Sequence, residues 1–511
     1  MLKNTTPNFY ANRLIYGLAG LATIGFLPDG EAAADNQQQN KERPNILFIM
    51  ADDHTSQAWG CYGSRLADYA PTQNIDRLRS QGALLQNCFC TNSISVPSRA
   101  SILTGQYGHL NGAKTLQGRL DPERDNLAKR LQEAGYQTAL VGKWHLKSQP
   151  SGFDYYNVLH GQGDYHNPTL YESGKDWEGD GKEYDGHSVD VITSQALDWL
   201  KNRDDREEPY CMMLHFKSVH EPFYGPERYQ WLYKGETLPE PEDLLRDESP
   251  KNKVFKGWPL EILMNRFLER PKRYAPPPLK LNTDDPDKKR RATYQKFIKD
   301  YLRGVAGIDE SIGRVMEYLE KTGQTENTVV IYTSDQGYFL GEHNMFDKRF
   351  MLEESARMPF IIRYPEEIDP GTTVEDIILN IDFPELLLDY ARTDIPDYMQ
   401  GRSFRENLKG NTPDDWRDAM YYHYWTHQER RPSHYGIRTD RYKLIYYYGL
   451  QRMGHEPDSC WELYDLEKDP KELVNLYNQS EYKKVIERLK EKLEVLRDKY
   501  NDTSNPLKSD L

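Results

Sequence analysis

The chain has 511 residues, with 66 Lys and Arg against 80 Asp and Glu and a formal net charge of −14. That length suits one large domain and a smaller one, and an apolar fraction of 37% speaks for neither disorder nor a membrane bundle. The negative balance argues against broad binding to nucleic acid or anionic membranes, but leaves room for an anionic substrate gripped by a few local cations.

At the N-terminus, Lys3 and Arg13 precede an apolar run from Leu14 to Leu27, which Ala32, Ala33 and Ala34 follow. This is the layout of a secretory signal peptide over residues 1–34. It is too short, and too interrupted by glycine and Pro28, to persist as a membrane span. Export is therefore expected, with no stable membrane insertion after cleavage. Residues 35–43, rich in Asn and Gln, read as a flexible lead-in. Five cysteines (Cys61, Cys88, Cys90, Cys211, Cys460) are too sparse for a disulfide framework and fit no zinc knuckle, so mostly buried thiols and at most one disulfide are expected. The 36 tyrosines suit either sugar stacking or half-buried packing under long loops.

From Pro44 short apolar runs alternate with amphipathic stretches, the mark of an α/β sheet. Strands are expected over 46–50, 138–141, 210–216, 329–333 and 359–363, and helices over 75–81, 127–134, 189–201 and 301–321. Each of the first four strands is followed by polar, chemistry-capable residues: Asp52 and Asp53; Lys143 and His145; His220; Asp335 and Gln336. Ligand sites in open α/β sheets lie beyond the carboxyl ends of the strands, so four scattered segments are expected to meet at one place.

Between the first two strands lies Ser95-Val-Pro-Ser98-Arg99-Ala-Ser-Ile-Leu-Thr-Gly105. Pro97 holds off a premature helix, Ser98 is a helix-capping residue, and residue 95 falls near a helix N-terminus, where amides favour an anion. Asp52, Asp53, Asp335 and the Gln336 carbonyl make a hard-oxygen donor set that suits Ca²⁺ or Mg²⁺ better than zinc. An Asp-Asp pair alone is more often a turn or a helix cap, and His145 or His220 alone a structural histidine. Residues 225–299 turn proline-rich and mixed in charge, including the basic run 288–291, and read as an insertion near the site. Residues 44–400 form the expected α/β domain, and 401–511 a smaller α+β unit with antiparallel strands over 435–448 and 461–465 and a final helix over 480–499.

The string from Ser95 to Gly105 resembles the maturation signature of the type I sulfatases, in which the first residue is oxidised to formylglycine. Gly142-Lys143-Trp144-His145, Val219-His220-Glu221-Pro222, Asp335-Gln336-Gly337 and Lys348 match further motifs of that family. The resemblance implies an alkaline-phosphatase-like mixed sheet sandwiched by helices, with a smaller C-terminal α+β domain. It implies a divalent cation, Ca²⁺ above all, held by Asp52, Asp53, Asp335, Gln336 and the matured Ser95. It gives Lys143 and Lys348 the sulfate, Arg99 the formylglycine hydrate, His145 turnover of that hydrate and His220 the leaving oxygen. Gln336 stands where the family often has Asn or His. Ser95, in place of the commoner Cys, implies a radical-type sulfatase-maturing enzyme as partner and hence a bacterial periplasmic location.

The stretches 421–425 and 434–438 look most like bacterial sulfatases that degrade glycosaminoglycans, the N-acetylglucosamine-6-O-sulfatases of heparin and heparan sulfate breakdown in particular. The implied substrate is a sulfated saccharide, with His423, Trp425 and Arg363 as candidates for its sugar. Two alternatives stand beside this: a phosphomonoester or phosphonate hydrolase of the same superfamily, and an inactive sulfated-glycan-binding protein if Ser95 is not matured. A sulfatase acting on another sugar or position is the nearer variant.

Overall fold

The computed structural model describes residues 43–203, 207–246, 257–428, 430–448 and 459–504. The expected signal peptide, and the lead-in up to residue 42, lie outside the described residues. Ten strands form the main sheet: β1 (Asn45–Ala51), β2 (Ala83–Leu85), β3 (Gln137–Lys143), β4 (Tyr155–Leu159), β5 (Thr169–Glu172), β6 (Lys182–Glu183), β7 (Tyr210–His215), β8 (Thr328–Ser334), β9 (Phe360–Arg363) and β10 (Thr372–Val374). Their order is β10-β2-β9-β8-β1-β7-β3-β4-β5-β6. The central run β8-β1-β7-β3-β4 is parallel, whereas β9 is antiparallel to both of its neighbours.

Buried on both faces, these strands read as continuous apolar runs, as parallel sheets do. Along β1 the side chains alternate between two cores. Leu47, Ile49 and Ala51 join the core that includes helix α2 (Ser188–Asn202) and helix α4 (Pro286–Lys321). Ile46, Phe48 and Met50 join the core that includes helix α1 (Ser95–Thr104). Helix α3 (Leu260–Glu269) packs beside α4.

All the expected strands and helices form, but α4 begins fifteen residues earlier than the periodicity from Tyr301 indicated. Asp285 caps it, its carboxylate accepting from Asp287 N and Lys288 N, and Pro286 takes the first helical position. Thr293, Tyr294, Phe297 and Ile298 carry the apolar stripe back into a charged stretch. The basic run is therefore part of a helix, with Arg290 paired to Glu261 and Arg291 to Glu240.

A second sheet is antiparallel: β11 (Ala419–Tyr424), β12 (Ser433–Thr439), β13 (Tyr442–Tyr448) and β14 (Ser459–Asp465), with helix α5 (Lys483–Lys499) packed on it. The run expected over 435–448 is thus a tight hairpin of two strands. All five cysteines are free; Cys88, Cys90 and Cys211 are buried. No helix among the described residues is long and apolar enough to cross a membrane.

Candidate active site

Register brings the strand ends level. Ala51 pairs with Ser334, Met50 with His215, and Gly142 with His215, so the residues that follow β1, β8 and β7 emerge beside the end of β3. Asp52 and Asp53 leave β1, Asp335 leaves β8, and the Asp53 amide donates to Asp335 Oδ1 at 3.1 Å. Carboxylate oxygens of Asp52, Asp53 and Asp335 all lie within 4.8 Å of one another, and all three side chains are buried. Asp53 holds its place with a left-handed backbone (φ +68°), uncommon for a non-glycine residue.

Cations surround this triad. Lys143 Nζ donates to Asp52 Oδ2, and Lys348 Nζ to Asp53 Oδ2 at 2.6 Å. Arg99 Nε donates to Asp335 Oδ2 at 3.0 Å and its Nη1 to the Lys143 carbonyl at 2.8 Å, while Nη2 lies 3.6 Å from Asp52 Oδ1. Ser95 is buried one helical turn before Arg99, on the same face of α1. The helix starts at Ser95 itself. Pro97 sits within its first turn, where the missing N–H is tolerated, and Ser98 does not cap. The Ser98 hydroxyl instead donates to the Asp335 carbonyl and accepts from Asn380 Nδ2, fastening α1 to the end of β8.

The two histidines differ in their wiring. His220 Nδ1 donates to the Glu221 carbonyl at 2.7 Å, which leaves Nε2 to face Asp53 Oδ2 at 3.9 Å. Burial first, then the Lys348 charge, holds His220 well below its usual range. His145, at φ +61°, is pushed down to about 2 by burial and the Lys143 charge, and its buried Nδ1 has no hydrogen bond.

The triad itself is electrostatically crowded. Burial raises the Asp53 carboxyl to about 6 against the pull of Lys348, and burial with the Asp52 charge raises Asp335 to about 7. Burial also opposes ionisation of Asp52, but Lys143, His220, Arg99 and Lys348 together hold it well below the usual carboxylate range. Asp52 Oδ1 and Gln336 Oε1 are buried without a hydrogen bond. Three crowded carboxylates and a spare amide oxygen fit a hard divalent cation. No histidine or cysteine belongs to the cluster.

Several residues at this site carried no motif. Lys217, just beyond β7, is buried with Nζ donating to the Gln162 carbonyl at 2.9 Å; burial and the Lys143 charge lower it to about 7. Its only signal in the sequence was its place after a strand end. Asp347 and Arg349 flank Lys348 with left-handed backbones (φ +81° and +95°), and Arg349 Nε donates to Asp347 Oδ2 at 2.7 Å. Glu221 is gripped by Arg266 of α3 at 2.5 Å and by the Tyr274 hydroxyl, tying the segment 225–299 to His220.

Of the three residues expected to meet the sugar, two are corrected: Arg363 and His423. Arg363 does end a strand, but β9 runs antiparallel, so Arg363 pairs with Val330 at the far end of the sheet and donates to the Thr325 carbonyl. His423 is buried with both ring nitrogens engaged, Nδ1 on Asp502 and Nε2 on the Tyr448 hydroxyl, each at 2.7 Å. Trp425, half-buried, stacks on it at 3.4 Å. His423 is thus spent on packing inside the C-terminal unit, while Trp425 keeps part of its ring at the surface.

The family model described as "Sulfatase" matches residues 44–393, and one described as "N-sulphoglucosamine sulphohydrolase, C-terminal" matches residues 341–499. The chain belongs to the sulfatase family. This sulfatase is 39% identical to an N-acetylglucosamine-6-O-sulfatase of Bacteroides thetaiotaomicron, over 92% of its own length and 89% of the relative's. It is also similar to a solved structure in complex with its substrate, D-glucosamine-2-N,6-O-disulfate: TM-score 0.83 and 37% identity, covering 92% of this chain and all of that one. A phosphonate monoester hydrolase of Agrobacterium radiobacter shares the fold alone, with a TM-score of 0.68 and 22% identity over 90% of this sulfatase and 96% of that chain. The large mixed sheet with its helices and C-terminal antiparallel sheet is the alkaline-phosphatase-like sulfatase fold.

Proposed function

We propose that this sulfatase removes the 6-O-sulfate of N-acetylglucosamine or glucosamine at the end of a saccharide from heparin or heparan sulfate. The observation that carries the reading is the buried carboxylate triad, which meets Lys143, Lys348 and Arg99 beside the first turn of the Ser95 helix. The substrates named for the two most informative relatives support the sugar.

Ser95 is the residue that a radical-type maturing enzyme would oxidise to formylglycine, and the hydrated aldehyde would supply the oxygen nucleophile toward sulfur and a second hydroxyl for release of the sulfate. A divalent cation, Ca²⁺ by its all-oxygen donors, would be held by Asp52, Asp53, Asp335 and Gln336 and would polarise the sulfuryl group.

Lys143 and Lys348 bind the sulfuryl oxygens. Asp52 and Asp53 already fix both ammoniums, so they need no reorganisation as charge builds on sulfate. Arg99, pinned by Asp335 and the Lys143 carbonyl, orients the oxygens of residue 95. His220 has Nδ1 committed to the Glu221 carbonyl, so Nε2 is the atom that delivers a proton to the departing sugar oxygen. Burial and Lys348 disfavour that proton, whereas the negative charge of an arriving sulfate favours it, so His220 gains it with the substrate. His145 is held neutral by burial and Lys143 and takes a proton on the residue-95 side. The Arg266 and Tyr274 grip on Glu221 gives the 225–299 segment a share in setting His220. Export to a bacterial periplasm places the enzyme where saccharide fragments arrive.

The deciding experiment matures the full chain, verifies that the peptide bearing residue 95 is lighter by about two daltons, the two hydrogens lost on oxidation, and assays sulfate release. N-acetylglucosamine 6-sulfate is run beside its 3-sulfated isomer and a 6-sulfated galactosamine. Release from the first alone is expected. Silence on all three with the aldehyde verified would overturn the substrate. A residue 95 that stays serine in the natural host would point to a glycan-binding role, and phosphonate cleavage in preference to sulfate release would point to the hydrolases that share the fold.

A further inference from the structure

Lys217 is an unusual group to bury. Its side chain feels the charges of Lys143, Asp52, Asp164 and Asp53, yet it forms no ion pair among the described residues. Its one acceptor is the Gln162 carbonyl at 2.9 Å, and its ammonium rests 4.8 Å from the centre of the Tyr165 ring. Unpaired buried ammonium groups are costly, and a single neutral carbonyl meets one of three donors. The position is nevertheless fixed from two sides. The Tyr165 hydroxyl donates to the His220 carbonyl at 2.6 Å, and the His220 amide donates to the Lys217 carbonyl at 3.2 Å.

Gln162 explains what satisfies the pocket in this structure. While its carbonyl faces Lys217, its side-chain Oε1 accepts from Lys143 Nζ at 2.8 Å. One exposed residue therefore sets two oxygens against two buried lysines. Gly161 and Gly163 on either side have φ +59° and +62°, left-handed conformations that let the short loop turn Gln162 inward. A sulfate group offers the same thing, oxygens spaced to meet more than one ammonium, with charge that the amide lacks.

We propose that Lys217 is a third anion-binding lysine of the sulfate pocket, and that Gln162 is a placeholder whose amide oxygen a sulfuryl oxygen displaces from Lys143. This rests on the sulfatase reading of the same pocket, and deepens it by adding a group outside the family motifs. Lys143, Lys217, Lys348 and Arg99 then gather at one pocket, opposed by Asp52, Asp53 and Asp335 and also by Asp164 and Asp347. Gathered donors of this kind favour the doubly charged product over the singly charged ester. Displacement of Gln162 opens the loop at 160–164 from the side of β4, and the amide is free to contact the sulfated sugar.

Inorganic sulfate is the probe, titrated calorimetrically into the full chain supplied with Ca²⁺. Lys217→Met is expected to weaken sulfate about 10- to 100-fold, the range for a charged hydrogen bond left unmade. Gln162→Ala is expected to tighten it about 3- to 10-fold, because one neutral hydrogen bond no longer competes. Lys217→Met binding sulfate as the unaltered chain does would overturn the lysine assignment, and unchanged or weaker binding to Gln162→Ala would overturn the placeholder. If Lys217→Met does not fold by circular dichroism, Lys217→Gln carries the test: it keeps a donor but loses the charge, and is expected to weaken sulfate about 10-fold or more. Unchanged sulfate binding by a folded Lys217→Gln would overturn the lysine assignment. Lys143→Ala separates the two readings. Sulfate retained there sinks the pocket as a whole, while sulfate lost there with Lys217→Met unaffected sinks only this inference.

Discussion

Lys348 shows how a single side chain could serve two charges at this site. Its ammonium neutralises Asp53 at 2.6 Å, between two residues held in left-handed backbone, and under the proposed function it would also meet a sulfuryl oxygen. Such conformations persist only where the surroundings impose them, and they cluster at working sites. Lys348→Ala is expected to lower kcat/KM by about 10²–10³-fold or more, as does the loss of one preorganised charge at a developing anion. The fold should survive. Burial already raises the Asp53 carboxyl, so its charge is either relieved by a proton or met by a bound cation. Steady-state kinetics beside a thermal melt checks both parts, and near-normal turnover would remove Lys348 from the site. That Asp52, Asp53, Lys143 and Asp335 meet was legible because they follow strand ends, whereas Lys348 was legible only through its match to a family motif. Arg363 was misread because a strand end looks the same in sequence whichever way the strand runs. Lys217 and Gln162 were missed because neither belongs to a motif, and only the folded register brings a loop after β4 against a loop after β7.

At the scale of the element, apolar runs made the buried parallel strands visible, but two features lay below that signal. Periodicity does not report strand direction, and the start of α4 was masked by the charges on its outer face. Gly142, the last residue but one of β3, illustrates a constraint that composition cannot show. Its φ is +103°, and an added Cβ would lie 1.9 Å from the His215 carbonyl oxygen on the paired strand. Gly142→Ala is expected to cost about 2–4 kcal/mol, from backbone strain and forced separation of β3 from β7. Urea denaturation measures that cost, and sulfate release should fall with it because Lys143 is the next residue. In the other sheet, His434 of β12 is buried, with Nδ1 donating to the Pro432 carbonyl and burial lowering it to about 3. Its folded value lies below the unfolded one near 6.5, so the unfolded chain binds more protons between them. The stability it contributes is complete above about 6.5 and is lost as pH falls toward 3, at about 1.4 kcal/mol per pH unit. Between pH 7 and 5 the unaltered chain should therefore lose about 2 kcal/mol more than His434→Gln, in paired urea titrations. Equal losses would mean that His434 is not held neutral.

Across the whole molecule, the sequence changes character near residue 401, yet the described chain from Arg43 onward forms one compact unit. The reason lies in what the C-terminal sheet touches. The Tyr422 hydroxyl accepts from Ser93 N and donates to the Arg349 carbonyl, and the His423 amide donates to the Thr91 carbonyl. The segment leading into Ser95 and the one leaving Lys348 are thus both fastened to β11. Glu353, half-buried, lies between Arg438 at 2.9 Å and Lys443 at 2.8 Å, and Lys443 also pairs with Glu472 at 2.7 Å. Phe89, Ile94, Phe339 and Phe350 share a core with Tyr421, Tyr422 and Tyr424. In this layer tyrosine rings fill the core, and the Tyr422 hydroxyl reaches backbone groups near the site. Cutting the chain after residue 400 would expose that apolar face and strand the Glu353 carboxylate, so residues 44–400 alone are expected neither to fold cooperatively nor to bind sulfate. Expression of both lengths, compared by circular dichroism melts and sulfate titration, tests this. A soluble shortened chain with a sharp melt and intact sulfate binding would show that the C-terminal sheet is an accessory; its failure would make that sheet a structural wall of the active site.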